Sequence, residues 1–230
     1  RINIFDIAKE LKIKKITHIS TSETYGTAQY VPIDEKHPLV AQSPYAASKI
    51  AADQLALSFY HSFDLPITII RPFNTYGPRQ SLRAIIPVII LQLLKKKKNI
   101  SLGNINTTRD FSYIDDTVDG ILKSHFHLQS SGDTFNLGSS YDISIKELAE
   151  MCMNLIGFKS KIIIDKPRIR PNKSEVLRLI SNNKKAKKSF NWVPKYNNRK
   201  GLEIGLEKFI NWLKNEENLK FYKNYNEYNY

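Results

Sequence analysis

The feature that most constrains the fold is a helix–strand–helix–strand alternation over residues 2–71. Residues 2–11 show a helical apolar period, and residues 16–20 form a short apolar run. A polar loop leads to an alanine-rich helical segment at residues 45–63, and the β-branched segment 66–71 follows. Strands that alternate with helices build a parallel sheet covered by helices. The sequence therefore predicts an α/β fold.

Beyond Pro78 the chain continues with shorter predicted elements of the same two kinds. The predicted helices lie at residues 84–98, from Asp115 onward, at 144–156 and at 202–213, and the predicted strands lie at 100–102, 109–114, 134–137 and 161–164. Ser144, followed three residues later by Glu147, is the capping-box signature of a helix start. Residues 216–230 are rich in asparagine and tyrosine, and we expect a loose tail there.

Composition argues against several classes of protein. The 230 residues include one cysteine, Cys152, so an internal disulfide cannot form and a reducing, cytoplasmic setting is expected. The longest apolar run, at residues 84–94, contains Pro87 and is shorter than the ~20 residues that cross a bilayer. Because the chain starts with Arg1 inside a helical pattern, we expect a fragment of a longer protein.

A tyrosine and a lysine four residues apart are the first candidates for chemistry. Tyr45 and Lys49 share one face of the predicted helix, and a nearby ammonium favours an ionised tyrosine that can act as a base. Taken alone, such a pair is also an ordinary helix surface pair. Hydroxyl side chains and a carboxylate in the loop 20–26, directly after a predicted buried strand, favour the functional interpretation, because ligands of open α/β sheets bind at strand carboxyl ends.

Four motifs in order resemble the extended short-chain dehydrogenase/reductase family, specifically its nucleotide-sugar epimerases and dehydratases. The motifs are Ser20-Thr21-Ser22-Glu23-x-Tyr25-Gly26, Ser43-Pro44-Tyr45-x-x-Ser48-Lys49, Arg71-Pro72-Phe73-Asn74-x-Tyr76-Gly77-Pro78 and Arg109-Asp110-Phe111-x-Tyr113-x-Asp115-Asp116, with a weaker fifth, Arg170-Pro171-x-x-Ser174-Glu175-Val176. The resemblance spans residues 2–213. Within this family, the chain most resembles N-acetylhexosamine dehydratases of the legionaminic acid type and the GDP-mannose and dTDP-glucose 4,6-dehydratases.

The resemblance implies a Rossmann-like, doubly wound parallel sheet with a small α/β domain. Residues 1–80 would form the C-terminal part of the NAD-binding domain, residues 81–215 mainly the substrate-binding domain with some segments returning to the sheet, and residues 216–230 the tail. None of the nine glycines forms the glycine-rich turn that holds a dinucleotide. We therefore expect the glycine-rich half of the cofactor domain to be missing from this chain.

The resemblance also implies catalytic roles and NAD as cofactor. Tyr45 would take the proton of the sugar 4-hydroxyl, and Lys49 would bind the nicotinamide ribose. Thr21 would contact the 4-oxygen, and Glu23 would remove the proton from carbon 5, which a neighbouring ketone acidifies. Ser22 stands where dTDP-glucose-type dehydratases carry an acidic residue, so either Glu23 or a water would protonate the leaving hydroxyl.

The remaining predicted site residues bind cofactor or substrate. The cofactor set is Ser20, Tyr45, Lys49 and Pro72, and the substrate set is Thr21, Asn74, Arg79, Arg109, Asn136 and Arg170. Arginine suits the diphosphate because its planar guanidinium makes bidentate contacts. Asp115 and Asp116 are expected to cap the following helix. The histidines show no metal-ligand spacing, so no metal is predicted.

Besides a general excess of lysine, the formal charge of +13 has two possible functional interpretations. Nucleic-acid binding would need base-reading or aromatic-lined basic motifs, and the sequence shows none, so we expect no nucleic-acid partner. Positive charge would attract a nucleotide-diphosphate sugar, which the resemblance implies as the substrate.

Three enzyme activities and one inactive state remain open. A 4-epimerase needs no base at carbon 5, so Glu23 argues against it. A UDP-glucuronate decarboxylase usually has acidic residues and a glycine around its tyrosine, whereas Tyr45-Ala46-Ala47-Ser48-Lys49 favours a 4,6-dehydratase. The chain could also be an inactive truncated fragment. For the full protein we expect a homodimer that pairs partly through the helix at residues 45–63.

Overall fold

The computed structural model describes residues 2–169, 171, 174–220 and 222. Eight helices and eight strands are described, with 3-10 turns at Ser22–Tyr25, Leu128–Ser130 and Lys166–Arg168. The helices are α1 (Ile2–Glu10), α2 (Pro44–Phe63), α3 (Ile85–Leu94), α4 (Ile114–Phe126), α5 (Ile145–Ile156), α6 (Lys184–Phe190), α7 (Asn198–Lys214) and α8 (Glu216–Lys220). The strands are β1 (Ile16–Ile19), β2 (Ile67–Pro72), β3 (Asn74–Tyr76), β4 (Asn99–Leu102), β5 (Thr108–Tyr113), β6 (Thr134–Leu137), β7 (Asp142–Ser144) and β8 (Lys161–Ile164).

The first sheet has the strand order β1-β2-β6, and both pairings are parallel. Its central strand, β2, is buried from Ile67 to Arg71, as expected for a β-branched run covered on both faces. Parallel neighbours bring the carboxyl ends of β1 and β2 to the same edge of the sheet. The predicted α/β class with a Rossmann-like parallel sheet is confirmed.

Two smaller sheets lie in the second part of the chain. Strand β3 pairs in parallel with β5, which pairs in the antiparallel sense with β7, and β4 pairs in parallel with β8. Helices α3, α5 and α7 cover these strands and share the largest apolar cluster, which includes Ile90, Leu148 and Leu206. A separate cluster packs α1 and α2 on the first sheet through Phe5, Phe59 and other residues. Burial of these two apolar clusters stabilises the packing of the helices on the first sheet and on the smaller sheets.

The two outer edges of the first sheet differ. Along β6, the Glu35 carboxylate accepts the backbone N–H of Asn136 at 2.8 Å. The Asn183 side chain bonds both the N–H and the carbonyl of Gly138. Side chains therefore occupy backbone groups of Asn136 and Gly138 on the outer side of β6, whereas β1 has β2 as its only neighbour among the strands described.

Several predicted elements agree with the structure, and others need correction. The strands at 134–137 and 161–164 and the capping box of α5 are confirmed. The predicted helix at 84–98 ends at Leu94, before the lysines that were expected to complete it. Residues 216–220 are helical and the Tyr222 ring packs on Trp212, so the predicted loose tail is wrong for these residues.

The prediction that Asp115 and Asp116 cap α4 is also wrong. The helix begins at Ile114, and no side-chain hydrogen bond caps its first turn. The Asp116 carboxylate instead accepts the backbone N–H groups of Lys195 and Tyr196, both at 2.8 Å. Asp116 thus fixes the segment that precedes α7, a contact between residues far apart in the sequence.

No helix in the described residues is both long and apolar enough to cross a membrane.

Candidate active site

The loop that follows β1 is a tight 3-10 turn held at both ends. The Thr21 hydroxyl oxygen accepts the backbone N–H of Glu23 at 3.3 Å and so caps the turn. Gly26 ends it with a φ of 64°, and a Cβ there would lie 2.8 Å from the Val40 carbonyl oxygen. The loop therefore leaves the sheet at the carboxyl edge of β1 and carries Thr21 and Glu23 with it.

Tyr45 and Lys49 lie on the first turns of α2. Ser43 caps this helix by accepting the Ala46 N–H at 3.1 Å, and Pro44 occupies its first position. The Lys49 ammonium donates to the Ile19 carbonyl at 3.2 Å and lies 5.8 Å from the centroid of the Tyr45 ring. Tyr45 is 51% exposed. The pair thus stands at the end of β1, next to the loop that carries Glu23.

A polar cleft of about 380 Å³ gathers three of the predicted residues: Glu23, Asn74 and Arg109. Asn74 begins β3 and donates to the Asp110 carbonyl at 3.3 Å. Arg109 lies on β5. Glu23 follows the carboxyl end of β1, Asn74 lies two residues beyond the carboxyl end of β2, and Arg109 lies near the amino end of β5, so residues from three motifs meet in one cleft.

The same cleft contains charged residues that sequence reasoning missed: Arg83, Arg168 and Glu175. Arg109 Nη2 lies 3.3 Å from Glu175 Oε1, and its Nη1 donates to the Thr108 carbonyl at 2.9 Å. Three arginines and two glutamates line this cleft, and Arg168 Nε also lies 2.9 Å from Asp165 Oδ2. The arginines, rather than a net excess of positive charge, make the cleft suitable for an anionic ligand. Glu175 belongs to the fifth motif, so its position in the sequence was a usable signal.

Some predicted residues are not brought to the cleft. Arg79 is exposed with a φ of 66° and is not among the residues described as lining the cleft, whereas Arg83 is. Ser22 is buried in the 3-10 turn, and Pro72 ends β2 half-buried. Arg170 lies outside the described residues.

The prediction that Asn136 contacts substrate is corrected by its burial. Asn136 is 0% exposed. Its side-chain oxygen accepts the Tyr25 hydroxyl at 2.7 Å, and its side-chain nitrogen donates to the Ile33 carbonyl at 3.1 Å. Because the oxygen and the nitrogen of its side-chain amide both form hydrogen bonds inside the protein, Asn136 supports the site by holding Tyr25 and Ile33.

Ser20 also points into the protein. Its hydroxyl donates to Asp53 Oδ2 at 2.9 Å, and the residue is buried, so we reassign it from a cofactor contact to a support of the loop. Asp53 lies on α2, one helical turn after Lys49. Arg71 of β2 binds the same carboxylate oxygen through Nε at 3.1 Å and Nη2 at 3.0 Å.

The Asp53 carboxylate is the centre of a fully buried polar cluster. His18 Nε2 lies 3.1 Å from Asp53 Oδ1, and Arg71 Nη1 donates to the Tyr25 hydroxyl oxygen at 3.0 Å. Burial would raise the pKa of Asp53, but the bond to His18 and the charge of Arg71 hold it below its usual value. Burial raises the pKa of Tyr25 to about 12. We call Asp53, Arg71, Tyr25, His18, Ser20 and Asn136 the buried polar cluster.

A second cavity, of about 440 Å³, opens beside Trp192 and Pro194. The residues described as its lining include none of the predicted catalytic residues, so we place the candidate site in the cleft of Glu23. Within the described part of the chain, no group of three or more histidine, cysteine, aspartate or glutamate residues could hold a metal.

Comparison with known proteins shows the family to which the chain belongs. The sequence profile of the GDP-mannose 4,6-dehydratase family matches residues 1–204. A dTDP-D-glucose 4,6-dehydratase of Dictyostelium discoideum is 35% identical over 166 residues, which are 66% of this chain and 37% of that protein. A UDP-glucuronate 4-epimerase of Thermodesulfobacterium geofontis is 32% identical over 225 residues, which are 96% of this chain and 65% of that protein.

A solved structure agrees equally well. The crystal structure of a dTDP-glucose 4,6-dehydratase from Bacillus anthracis in complex with NAD superposes with a TM-score of 0.84 at 28% identity, covering 94% of this chain and 67% of that one. The chain thus spans between about a third and two thirds of these proteins. By profile, sequence and structure, the chain belongs to the GDP-mannose 4,6-dehydratase group of NAD-dependent nucleotide-sugar epimerases and dehydratases, within the extended short-chain dehydrogenase/reductase family.

Proposed function

We propose that the protein is an NAD-dependent nucleotide-sugar 4,6-dehydratase. The observation that carries the proposal is the position of Glu23. Glu23 lines the cleft that also contains Asn74 and Arg109, and its loop leaves the strand whose end contacts Lys49. A base at carbon 5 is needed for dehydration and is not needed for 4-epimerisation.

The residues present fit the nicotinamide end of NAD. Lys49 and Tyr45 stand at the carboxyl end of β1, and Pro72 lies at the end of the neighbouring β2, where a ligand of such a sheet binds. Bound NAD would accept hydride from carbon 4 and later return it to carbon 6. Lys49 would hold the ribose hydroxyls, since its ammonium donates and carries positive charge.

The residues of the chain would move the protons. Tyr45 would take the proton of the 4-hydroxyl as carbon 4 becomes a ketone, with Thr21 donating to the same oxygen. Glu23 would then take the acidified proton of carbon 5. The hydroxyl of carbon 6 would leave as water, with its proton supplied by Glu23 or by a water. A proton returned to carbon 5 completes the 4-keto-6-deoxy sugar.

For the substrate, we propose a nucleotide-diphosphate N-acetylhexosamine used in surface polysaccharide synthesis. Arg109 and Arg83 supply guanidinium groups for the diphosphate in the cleft of Glu23. The N-acetyl group rests on the resemblance of residues 20–26, 81–87 and 170–176 to dehydratases of that class.

The test uses the full-length protein with NAD and a panel of UDP- and GDP-linked N-acetylglucosamine, glucose, glucuronate and mannose, with products read by mass. Loss of one water from a member of the panel supports the dehydratase and names its substrate. Loss of carbon dioxide would make the protein a decarboxylase, and unchanged mass with inverted carbon 4 would make it an epimerase. A full-length protein that converts none of them would contradict the proposed function.

Glu23→Gln is the decisive variant. We expect dehydration to fall by about 10²–10⁴-fold, since a positioned base contributes that much, while the 4-hydroxyl is still oxidised. Exchange of the carbon 5 hydrogen with deuterated solvent should disappear with it. Retained dehydration in Glu23→Gln would contradict the role proposed for this carboxylate.

We further propose a homodimer that pairs through α1 and α2. The two helices lie side by side, with the rings of Phe5 and Phe59 5.4 Å apart, and their outer faces expose Ile4, Ile7 and Phe63. Light scattering should give a dimer mass for the full-length protein, and Ile7→Glu should shift it to the monomer. A monomeric unmodified protein would contradict this proposal.

A further inference from the structure

We infer that the buried polar cluster is a positioning device that holds the Glu23 loop against α2, and that it governs removal of the carbon 5 proton rather than oxidation at carbon 4. This inference rests on the proposed dehydratase function. It assigns roles to Asp53, Arg71 and Tyr25, which contact neither the cleft nor the Tyr45–Lys49 pair in the interactions described above.

The cluster anchors the loop at both of its ends. Ser20, the residue before Thr21, donates to Asp53 at 2.9 Å. Tyr25, two residues after Glu23, accepts from Arg71 at 3.0 Å and donates to Asn136 at 2.7 Å. Glu23 therefore lies between two residues, Ser20 and Tyr25, that are each hydrogen-bonded to a member of the Asp53–Arg71 ion pair.

The same helix holds the other catalytic pair. Asp53 follows Lys49 by four residues on α2, so the acid and the ammonium lie on adjacent turns of one helix face. Lys49 also bonds the carbonyl of Ile19, the residue before Ser20. Through Asp53, the helix that carries Tyr45 and Lys49 fixes the distance to the loop that carries Glu23.

The cluster is buried and directional enough to set a geometry. Asp53 is 0% exposed and Arg71 4% exposed. The guanidinium of Arg71 is divided between the Asp53 carboxylate and the Tyr25 hydroxyl, and its Cζ lies 5.0 Å from the centroid of the Tyr25 ring. Buried charges whose hydrogen bonds are satisfied in this way favour one arrangement over its alternatives.

The two catalytic groups depend on the cluster to different degrees. Tyr45 and Lys49 are fixed by the backbone of α2 and its Ser43 cap, which do not involve Tyr25. Glu23 lies in a four-residue turn whose carboxyl end is Tyr25. Loss of the Tyr25 hydroxyl should therefore displace Glu23 while leaving the pair in place.

The test compares Tyr25→Phe with the unmodified full-length enzyme, saturated with NAD and supplied with the sugar nucleotide that it dehydrates. A displacement of about 1 Å can cost a catalytic step ~10²-fold, so we expect kcat for dehydration to fall by one to two orders of magnitude with KM nearly unchanged. Oxidation would then outrun elimination, and reduced cofactor should accumulate during turnover. Tyr76→Phe is the matched control, since it removes a buried hydroxyl that donates to the Leu202 carbonyl, outside the cluster.

Ser20→Ala tests the other anchor and keeps the inference open to refutation if Tyr25→Phe does not fold. It should show the same accumulation of reduced cofactor. The inference is overturned if the folded variants lose oxidation and elimination in equal proportion, or if neither rate changes. An unmodified enzyme that removes water from no sugar nucleotide would instead overturn the proposed function, so the two failures are distinguishable.

Discussion

At the scale of single residues, the buried carboxylate of Asp53 connects three segments of the chain. It is bonded by His18, Ser20 and Arg71, which come from β1, the loop after it and β2. Removing one partner of a buried ion pair leaves the other charge uncompensated. Asp53 therefore joins the stability of the first sheet to the geometry of the site.

Asp53→Asn should lower the free energy of unfolding by about 3–5 kcal/mol, because the Arg71 charge would remain buried without its partner. Urea unfolding measures the loss. The matched control is Asp119→Asn on α4, whose ion pair with Lys123 spans 2.9 Å with both side chains about 40% exposed. Such surface pairs contribute ~0–1 kcal/mol, so equal losses in the two variants would contradict the role of Asp53.

The lowered pKa of Asp53 predicts how that difference depends on pH. A carboxyl whose pKa is depressed by folding stabilises the protein above its unfolded-state value, and this stabilisation is lost as the pH falls through the folded-state value. The gap in unfolding free energy between the unmodified protein and Asp53→Asn should therefore be constant near neutral pH and shrink below pH 3.8. A gap that widens on acidification would contradict the assigned direction.

At the scale of elements, α4 approaches β6 so closely that one position needs a glycine. A Cβ on Gly120 would lie 2.6 Å from Leu137 Cδ1 and 2.9 Å from Trp192 Nε1. The indole cannot give way freely, because its Nε1 donates to the Asp116 carbonyl at 3.1 Å. The packing of α4 against β6 and the Trp192 segment depends on the missing side chain.

Gly120→Ala should therefore destabilise the protein by about 1–3 kcal/mol, the usual cost of overpacking, although alanine is the better helix former. Val118→Ala, on the exposed face of the same helix, should change stability by less than ~0.5 kcal/mol. Thermal or urea unfolding of the two variants measures both effects. A stabilised Gly120→Ala would show that helix propensity dominates at this position.

The elements that the sequence predicted well are those with strong local signals. The capping residues of α5 and the β-branched runs of β2 and β8 are encoded within a few residues. Strands β3 and β7 have three residues each and exist only through pairing with β5, so no local period reveals them. Short strands are specified by their neighbours in the sheet rather than by their own residues.

The same distinction applies to the candidate site. Glu23, Asn74 and Arg109 stand in motifs with fixed spacing, and the structure places all three in one cleft. The roles of two aspartates depend instead on residues distant in the sequence. Asp53 forms an ion pair with Arg71, and Asp116 accepts the backbone N–H of Lys195. One local signal for Asp53 was available, since an aspartate in an alanine-rich helix one turn after Lys49 needs a partner if it is buried.

At the scale of the whole molecule, positive charge and the cleft together predict how binding responds to salt. The chain carries a formal charge of +13, and three guanidinium groups lie at the cleft. Added salt screens exposed charges beyond about 10 Å at 0.1 M. KM for the sugar nucleotide should therefore rise several-fold between low and high salt, with kcat nearly unchanged.

Two variants separate the cleft from the general charge. Arg83→Gln should raise KM at low salt and flatten its dependence on salt. Lys97→Gln, on the exposed lysine cluster beyond α3, should leave both unchanged apart from a small effect of net charge. Equal responses in the two variants would show that the overall field, and not the cleft, attracts the ligand.

The unequal edges of the first sheet limit how copies of this chain can associate through strands. A growing fibril needs two competent edges on every copy, one to accept and one to offer. On β6 the backbone groups of Asn136 and Gly138 are already bonded by Glu35 and Asn183. A strand added at this side would first have to displace the Glu35 and Asn183 side chains, so open-ended stacking of copies through this sheet is opposed at β6.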